Sequence, residues 1–531
     1  MRADLILTNA VIHTVDTSRP CATAMAVWNG SIIGFDDDIA GLEAVTTIDC
    51  RGRTITPGFV DAHTHLGWTG MREFTVDVTQ ETTAEGVLAR VREAARGRSE
   101  SDWIEVTGYD QRRIGGAHLT AAQLDTAGDG RPVWVKHFSG HASVASTAAL
   151  AGSADRELAE AVLGRAGLLL EEEQELVSEQ VYPYPLELIQ RAVAIAAELC
   201  TRDGVTSVVD AGIGAGLASI SAVELRAYQQ LTATGSLPVR ATLMPHYNAL
   251  HPIQSNPDDA IEIGLSLGIG SGFGGERLSL GPVKFWFDGG MMARTAAFSE
   301  PYSGTDNVGM LAANRDELIE QVATTHASGY RVAIHAIGDV AIDTAIEALR
   351  EAQRRTPLTG HSPRLEHGAY IRDDQLASLA ELDVTVVAQP CFLWTSGDDF
   401  ADIMGPERTR HLYRGRSLLD AGIRLAASTD RPHAGTPLRA IQVLAERRSQ
   451  TGRSLAPEEC LTVEEALAAY TIDAAHAAGS ESWTGSLAIG KRADFVMLER
   501  DPLDTPVHEI GDIAVLATYV DGVRVWDGGT K

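Results

Sequence analysis

The chain has 531 residues, of which 44% are hydrophobic and 22% charged, a composition typical of a globular protein large enough for more than one folding unit. Acidic residues (72) exceed basic residues (44), and the formal net charge of −28 argues against nucleic acid or an anionic membrane as a partner. No apolar run reaches the roughly 20 residues that span a bilayer, and nothing at the amino terminus predicts a signal peptide.

The five cysteines are scattered and never spaced as Cys-x-x-Cys. This pattern argues against a disulfide framework or a cysteine zinc site, and it predicts a cytoplasmic location. The sequence leaves the oligomeric state open, with a homodimer as the commonest assembly of soluble enzymes.

Both ends of the chain predict short β-strands separated by turns. Residues 1–57 contain several such segments, with a hairpin signal at Asn29-Gly30. Residues 485–531 have the same character. We therefore expect one composite β-sandwich domain built from 1–57 and 485–531.

The middle of the chain, residues 58–484, alternates apolar runs with stretches of helical periodicity, which is typical of a parallel α/β fold. The apolar runs are residues 58–65, 205–211, 239–246, 281–288, 331–336, 364–368, 384–389 and 423–430. Amphipathic helices are expected at residues 186–202, 315–328, 340–354, 438–448 and 463–478. Eight strands with covering helices predict a closed (β/α)8 TIM barrel.

The interval between the first two runs is much longer than the others. We predict that residues 68–183 form an insertion within the barrel domain, at the carboxyl end of the first strand. Loops at that end build the active site in this architecture, so we expect the insertion to cap the substrate.

The first run ends in the His-x-His motif of His63 and His65. Alternate residues on a strand point to one face, so both imidazoles can reach the barrel mouth and chelate a divalent metal such as zinc. His335, His367 and Asp430 end the fifth, sixth and eighth runs. Histidines satisfied within the core are the alternative, but they do not explain why all these residues fall at the same strand ends.

Lys284 lies on the fourth run, where alternation places it on one face with Trp286 and Asp288. A protonated ammonium repels a cation, whereas the carbamate formed by CO2 can bridge two metal ions. A lysine paired with Asp288 or another acid is the alternative. The residues alone leave both interpretations open.

The order of these residues after the segment PGFVD resembles the amidohydrolase superfamily. The segments VKFWFDGG, IHAIGDVAIDTAIEAL, RLEHG and STDRP are similar to the amidohydrolase-3 group, with likeness to YtcJ-like proteins and N-substituted formamide deformylases. The resemblance favours the carbamate and implies two sets of metal ligands bridged by carboxylated Lys284. The implied ligand sets are His63, His65 and Asp430 for one ion, and His335 and His367 for the other.

Further site residues are expected around this centre. Asp430 is the expected catalytic residue, which accepts a proton from water and delivers it to the leaving nitrogen. His141 resembles a pocket histidine of the group, and Asp288 and Arg294 are further candidates for binding substrate, although a surface salt bridge would equally explain Arg294. Glu366 precedes a ligand, so alternation predicts that it points away and has a structural or supporting role.

We expect a metal-dependent hydrolase that attacks a non-peptide amide-type C–N bond, in an N-formyl or N-acyl amine, with metal-activated hydroxide. Hydrolysis of a carbamate, thiocarbamate or cyclic amide is the alternative. Deamination is less favoured, because superfamily deaminases commonly carry His-x-x-Glu after the fifth strand, whereas this chain has His335-Ala336-Ile337-Gly338. The expected cofactor is one or two divalent ions, zinc first, although manganese, cobalt or iron would suit the same ligands. A binding protein without catalysis is disfavoured because the expected ligands are intact.

Overall fold

The computed structural model describes residues 2–216, 218–256, 259, 261–357, 360 and 362–529. The outermost residues of the predicted β domain, 1, 530 and 531, lie outside this range. The strands are β1 (Arg2–Thr8), β2 (Val11–His13), β3 (Cys21–Ala22), β4 (Met25–Trp28), β5 (Ser31–Phe35), β6 (Glu43–Asp49), β7 (Thr54–Pro57), β8 (Phe59–Thr64), β9 (Val76–Asp77), β10 (Ile104–Tyr109), β11 (Val133–His137), β12 (Ala142–Ala145), β13 (Leu168–Leu170), β14 (Val205–Ile213), β15 (Arg240–Pro245), β16 (His251–Pro252), β17 (Ile263–Gly264), β18 (Leu278–Leu280), β19 (Val283–Trp286), β20 (Val332–Ala336), β21 (Arg364–His367), β22 (Thr385–Ala388), β23 (Arg424–Ala427), β24 (Phe495–Leu498), β25 (Val515–Val520) and β26 (Val523–Asp527).

The α-helices follow the same chain order. They are α1 (Leu66–Met71), α2 (Ala84–Ala95), α3 (Ala121–Ala127), α4 (Thr147–Ala151), α5 (Arg156–Gly164), α6 (Glu175–Val181), α7 (Leu186–Arg202), α8 (Glu224–Ala233), α9 (Arg315–Ala327), α10 (Asp339–Arg355), α11 (Asp373–Glu381), α12 (Pro390–Met404), α13 (Pro406–Thr409), α14 (Arg416–Asp420), α15 (Pro437–Glu446), α16 (Val463–Ala469) and α17 (Ile472–Ala478). In the described part of the chain, no helix is both long and apolar enough to cross a bilayer.

The two chain ends meet in one sheet. Its strand order is β26-β25-β24-β7-β2-β3, and a second sheet, β5-β4-β1-β6, shares a buried core with it. Asn29 and Gly30 both have positive φ, as a two-residue hairpin turn between antiparallel strands requires, and the hairpin β4–β5 forms there. Leu7, Val27 and Phe495 belong to the shared core, so burial of apolar surface from both ends stabilises this unit.

The eight apolar runs of the middle region all form strands. Parallel strands in the order β18-β15-β14-β8 make one sheet, and β19-β20-β21-β22-β23 make another. The fourth run supplies β19 to the second sheet, and β18, which belongs to the first sheet, ends just before that run, with only Gly281 and Pro282 between the two strands. The protein therefore has an α/β fold in which parallel strands bring their carboxyl ends to a common edge.

The predicted helix over residues 463–478 is divided in two, α16 and α17. The carbonyl oxygen of Tyr470 accepts the backbone N–H of Val60, 2.9 Å away at the start of β8. That carbonyl therefore accepts a hydrogen bond from the sheet instead of from the next turn of a helix. The ring of Tyr470 also packs edge-on against Phe59, so the break attaches the last helices to the first parallel strand.

The predicted insertion has a sheet of its own, β13-β12-β11-β10-β9, with α2 to α6 around it. Separate apolar clusters on its two sides contain Val106 and Val135 on one and Trp134 and Leu169 on the other. The loops of this sheet lie over the carboxyl ends of the parallel strands, where their side chains line the same cavity as the expected metal ligands.

Candidate metal centre and its cavity

His63 and His65 leave the end of β8 buried and directed to one place. The ring of His63 lies 5.4 Å from that of His65 and 5.1 Å from that of His367, between ring centroids. Nδ1 of His63 is 2.5 Å from Oε2 of Glu366, which leaves Nε2 directed toward Asp430, at 3.7 Å. A carboxylate on one ring nitrogen is the usual support for a metal-binding histidine, since it fixes both tautomer and ring orientation.

His335 and His367 are supported in the same manner. Nδ1 of His367 lies 2.7 Å from the amide oxygen of Gln389, and Nε2 of His335 lies 3.3 Å from the carbonyl of Gly289. Nδ1 of His335 is buried without a hydrogen-bond partner among the described residues. The two rings are 4.4 Å apart, so each imidazole keeps one nitrogen for a shared centre.

Asp430 completes the group. Its Oδ1 is 3.2 Å from Nε2 of His65, and its backbone N–H donates to the carbonyl of His63 at 2.9 Å. Although burial raises the pKa of this carboxyl, His63 and His65 hold it well below the ordinary value, so Asp430 is ionised. Ligand atoms of His63, His367 and Asp430 all lie within 4.8 Å of one another, a set drawn from both predicted ligand groups.

Lys284 lies at the base of this cluster. It is fully buried, its Nζ is 4.7 Å from the ring centre of Trp286, and that Nζ has no hydrogen-bond partner among the described residues. Burial lowers the pKa of the ammonium to about 8, against the opposing effect of Glu366 and Asp430. The ion pair with Asp288, the alternative interpretation of Lys284, is not among the contacts of the described residues. A buried amine without a hydrogen-bond partner, close to clustered imidazoles, fits a metal centre in which that lysine would be a ligand after carboxylation.

Three weaker site predictions fall in different places. Asp288 lies behind His335, where its carboxylate accepts the backbone N–H groups of Ile337, Gly338 and Ala297 at 2.8–3.0 Å. Arg294 is exposed and lies outside the cavity lining. His141 lines the cavity, with its ring 5.7 Å from that of His335.

The prediction that Glu366 points away from the site is wrong, whereas its predicted supporting role agrees with its contact with His63. Its carboxylate points inward to Nδ1 of His63 and is held there by Arg364, with Nε to Oε1 at 2.7 Å. The sheet alternation ends at His367, whose φ of 71° turns the backbone into the left-handed region, so consecutive side chains both reach the site. Sequence reasoning also missed Gln389, although its position at the end of the seventh predicted strand was a usable signal.

A cavity of about 790 Å³ opens from the metal-ligand cluster, within the range of small-molecule sites. Its lining combines strand ends with residues of the insertion, and Trp68, Trp286, Trp394 and Phe138 contribute aromatic surface. Arg112 of the insertion pairs with Asp110 at 2.7 Å and also with Asp399 on α12. The insertion is thus attached across the cavity to the body of the protein.

Known proteins similar to this chain include amidohydrolases and metal-dependent hydrolases. Residues 46–526 match the amidohydrolase family. The chain is 29% identical to the N-substituted formamide deformylase of Arthrobacter pascens over 98% of both chains. Among solved structures, an uncharacterised metal-dependent hydrolase of Pyrococcus horikoshii OT3 is similar, with a TM-score of 0.74, 27% identity, and 95% and 99% of the two chains covered. Another from Pyrococcus furiosus has a TM-score of 0.72 and 28% identity, covering 94% and 100%.

Proposed function

The chain belongs to the amidohydrolase family, a family of metal-dependent hydrolases that act on C–N bonds, and from this premise we propose that it hydrolyses the amide-type bond of a small N-formyl or N-acyl amine. The observation that carries the proposal is the convergence of His63, His367 and Asp430, with ligand atoms within 4.8 Å of one another, at the base of a substrate-sized cavity. The similarity to an N-substituted formamide deformylase supports an N-formyl or N-acyl amine as the first substrate class to test.

The residues that would hold the metal are those whose free nitrogen or oxygen atoms face one another. Zinc suits this mixture of imidazole and carboxylate ligands. We propose one or two ions; with two, carboxylated Lys284 would bridge them, which its burial and unpartnered Nζ support. The full proposed ligand set is His63, His65, Lys284, His335, His367 and Asp430.

The chemistry divides between the metal and the chain. A bound divalent ion supplies Lewis acidity, which lowers the pKa of water toward 7 and polarises the substrate carbonyl. Asp430, ionised and buried, accepts the proton of the attacking water and returns it to the leaving nitrogen. The walls of the cavity would hold the amide next to this carboxylate.

The architecture around the site is also part of the proposal. We propose that the two parallel sheets are arcs of one closed (β/α)8 barrel spanning residues 58–484, with 68–183 as its cap and 1–57 with 485–531 as the β-sandwich. Support comes from the consecutive strands β18 and β19, of which β18 pairs with β15 in the first sheet and β19 pairs with β20 in the second. At the other seam β23 contacts β8, and the N–H of Thr429 donates to Asp61 at 2.9 Å.

We also propose a cell compartment, a class of partner and an oligomeric state for the protein. All five cysteines are free thiols in the structure, which supports a reducing, cytoplasmic compartment. We propose a small molecule as the partner of the cavity. A homodimer is the assembly to test first, by light scattering.

The test is a panel of N-substituted formamides, N-acyl amines, carbamates, cyclic amides and ring amines, with release of the amine as the readout. We expect turnover of formamides or N-acyl amines, and a fall in kcat of about 10²–10⁴ in Asp430→Asn, because proton transfer by the carboxylate is lost. Asp527→Asn, an exposed aspartate on β26, is the matched control and should keep wild-type rates. Turnover of ring amines alone, or activity that survives Asp430→Asn, would overturn the proposal.

A further inference from the structure

The insertion places the imidazole of His141 in the wall of the cavity, beside the ligand cluster. His141 precedes β12, and its ring is 5.7 Å from that of His335. We propose that His141 is a further catalytic residue, whose Nε2 donates a hydrogen bond to the substrate carbonyl oxygen as negative charge develops there, and that Glu171 is its positioning residue. This inference rests on the proposed amide hydrolysis and adds to it a catalytic role for the insertion.

Glu171 holds His141 by side chain and by backbone. Its Oε2 is 2.9 Å from Nδ1 of the imidazole, and its backbone N–H donates to the carbonyl of His141 at 3.1 Å. A carboxylate against Nδ1 orients the ring and leaves Nε2 for a ligand, to which the imidazolium form of the ring donates. Nε2 itself has no hydrogen-bond partner in the described part of the chain, and is left for a ligand.

The other oxygen of Glu171 is anchored to a second element. Oε1 accepts the hydroxyl of Thr295, whose Oγ1 in turn accepts the backbone N–H of Gly290 at 3.0 Å. Thr295 and Gly290 belong to the loop after β19, the strand that carries Lys284. The orientation of His141 is therefore fixed relative to the metal centre and not only within the insertion.

Two glycines of that loop make room for the pair. A Cβ at Gly290 would lie 2.4 Å from Cδ2 of His141, and a Cβ at Gly289 would lie 2.4 Å from Oε1 of Glu171. Any side chain at these positions would displace the imidazole or its carboxylate. The loop is thus shaped to receive the His141–Glu171 pair, as expected for a positioned functional group and not for a histidine of an ordinary surface loop.

The chemical consequence follows from where charge develops. The carbonyl oxygen of an amide becomes an oxyanion when water attacks, and a donor already in place stabilises that charge without reorganisation. Removing one such donor typically lowers kcat by about 10²–10³. His141 lines the same cavity as the ligand cluster, with its ring 5.7 Å from that of His335, so the carbonyl of a substrate held against that cluster can reach it.

The experiment compares variants of the metal-loaded full chain on the N-substituted formamide that the wild type turns over best. His141→Ala should lower kcat about 10²–10³ with KM changed less than about threefold, and added imidazole should restore part of the rate. Glu171→Ala should lower kcat less, and Glu171→Gln, which keeps an acceptor for Nδ1, should recover part of that loss. Gly290→Ala leaves both residues unsubstituted, but it should reproduce the kcat defect because its methyl group would displace the imidazole of His141.

Matched controls separate this role from general damage. His118→Ala removes an insertion histidine outside the cavity lining, and Gly164→Ala adds a methyl group where no atom lies within 4 Å. Both should keep wild-type kcat, and every variant should keep wild-type metal content by elemental analysis. A wild-type kcat in His141→Ala, or equal losses in the controls, would overturn the inference, as would a rise in KM with kcat unchanged.

A second measurement keeps the inference separate from the proposed function. If the wild type hydrolyses no acyl amine, the proposed function fails, and binding of an N-substituted methylphosphonamidate by calorimetry then tests the pair. Its tetrahedral oxyanion resembles the charge that His141 would stabilise. At least tenfold weaker binding by His141→Ala than by His118→Ala supports the inference, and equal binding overturns it.

Discussion

Glu366 offers the sharpest test of how the metal centre is supported. Its carboxylate is fully buried between two cationic or polar partners, the guanidinium of Arg364 and Nδ1 of His63. Arg364 binds it through Nε at 2.7 Å and Nη2 at 3.0 Å, and that arginine is itself only 1% exposed. Replacing Glu366 by alanine would leave both partners in place without their acceptor.

The expected loss has two parts. Breaking a buried ion pair by removing one partner costs about 3–5 kcal/mol of unfolding free energy. Two of the hydrogen bonds of Arg364, to the carbonyls of Ala62 and Ala477, would remain, so we expect the lower half of that range. Loss of the support for His63 should weaken metal binding about 10–100-fold, the usual effect of removing such a partner.

The assay combines denaturant unfolding of the metal-free protein with metal competition against a chelator. Glu366→Gln should keep most of the stability lost in Glu366→Ala, because its amide oxygen still accepts from Arg364. The control is Asp527→Ala, which breaks an exposed pair with Arg524 and should cost at most about 1 kcal/mol. If Glu366→Ala matched that control in stability and bound metal as the wild type does, the role assigned to Glu366 would be refuted.

Two further predictions concern acid and the insertion. Burial lowers the pKa of His137 to about 3 and the pKa values of His246 and His433 to about 4, below the ordinary 6.5. The unfolded chain therefore binds these protons more readily than the folded chain does. The stability that the neutral rings contribute is present above pH 6.5 and is lost as the pH falls toward 4. Each ring should contribute up to about 1.4 kcal/mol per pH unit in the metal-free protein. At about pH 5, between the folded and unfolded pKa values of His137, His137→Gln should lower the proton uptake on unfolding, measured by calorimetry, by about one, and an unchanged uptake at that pH would contradict this. Arg112→Ala should raise KM up to about fivefold with little change in kcat, because the partly exposed ion pair with Asp399 is worth about 0.2–1 kcal/mol. The control is Arg90→Ala, which breaks the exposed ion pair with Glu93. An unchanged KM in Arg112→Ala would argue that the Arg112–Asp399 pair does not position the insertion.

Much of the fold could be predicted from periodicity. Each of the eight apolar runs forms a strand, and the amphipathic stretch at 186–202 forms α7 with the same bounds. The pattern is reliable there because buried strands and one-sided helices leave a direct record in the spacing of apolar residues. The division of the last predicted helix could not be read in this way, because it depends on a hydrogen bond between Tyr470 and the distant Val60.

The candidate site was predictable in its residues and not in its contacts. Strand-end histidines and Asp430 could be found from spacing, since parallel strands bring their ends together. The inward direction of Glu366 could not, because it depends on the left-handed backbone of His367. Glu171 also carried no sequence signal, as its partner His141 lies 30 residues away along the chain.

The measurement that tests the central claim most directly is metal bound per chain, by elemental analysis of the wild type and Lys284→Ala after expression with zinc. With Lys284 as the bridge, we predict about two ions in the wild type and a clear fall in the variant, because the lysine whose carbamate would bridge them is gone. About one ion in both would contradict the bridging role and point to a centre with one metal. No metal in the wild type would contradict the metal centre and the hydrolytic mechanism that depends on it.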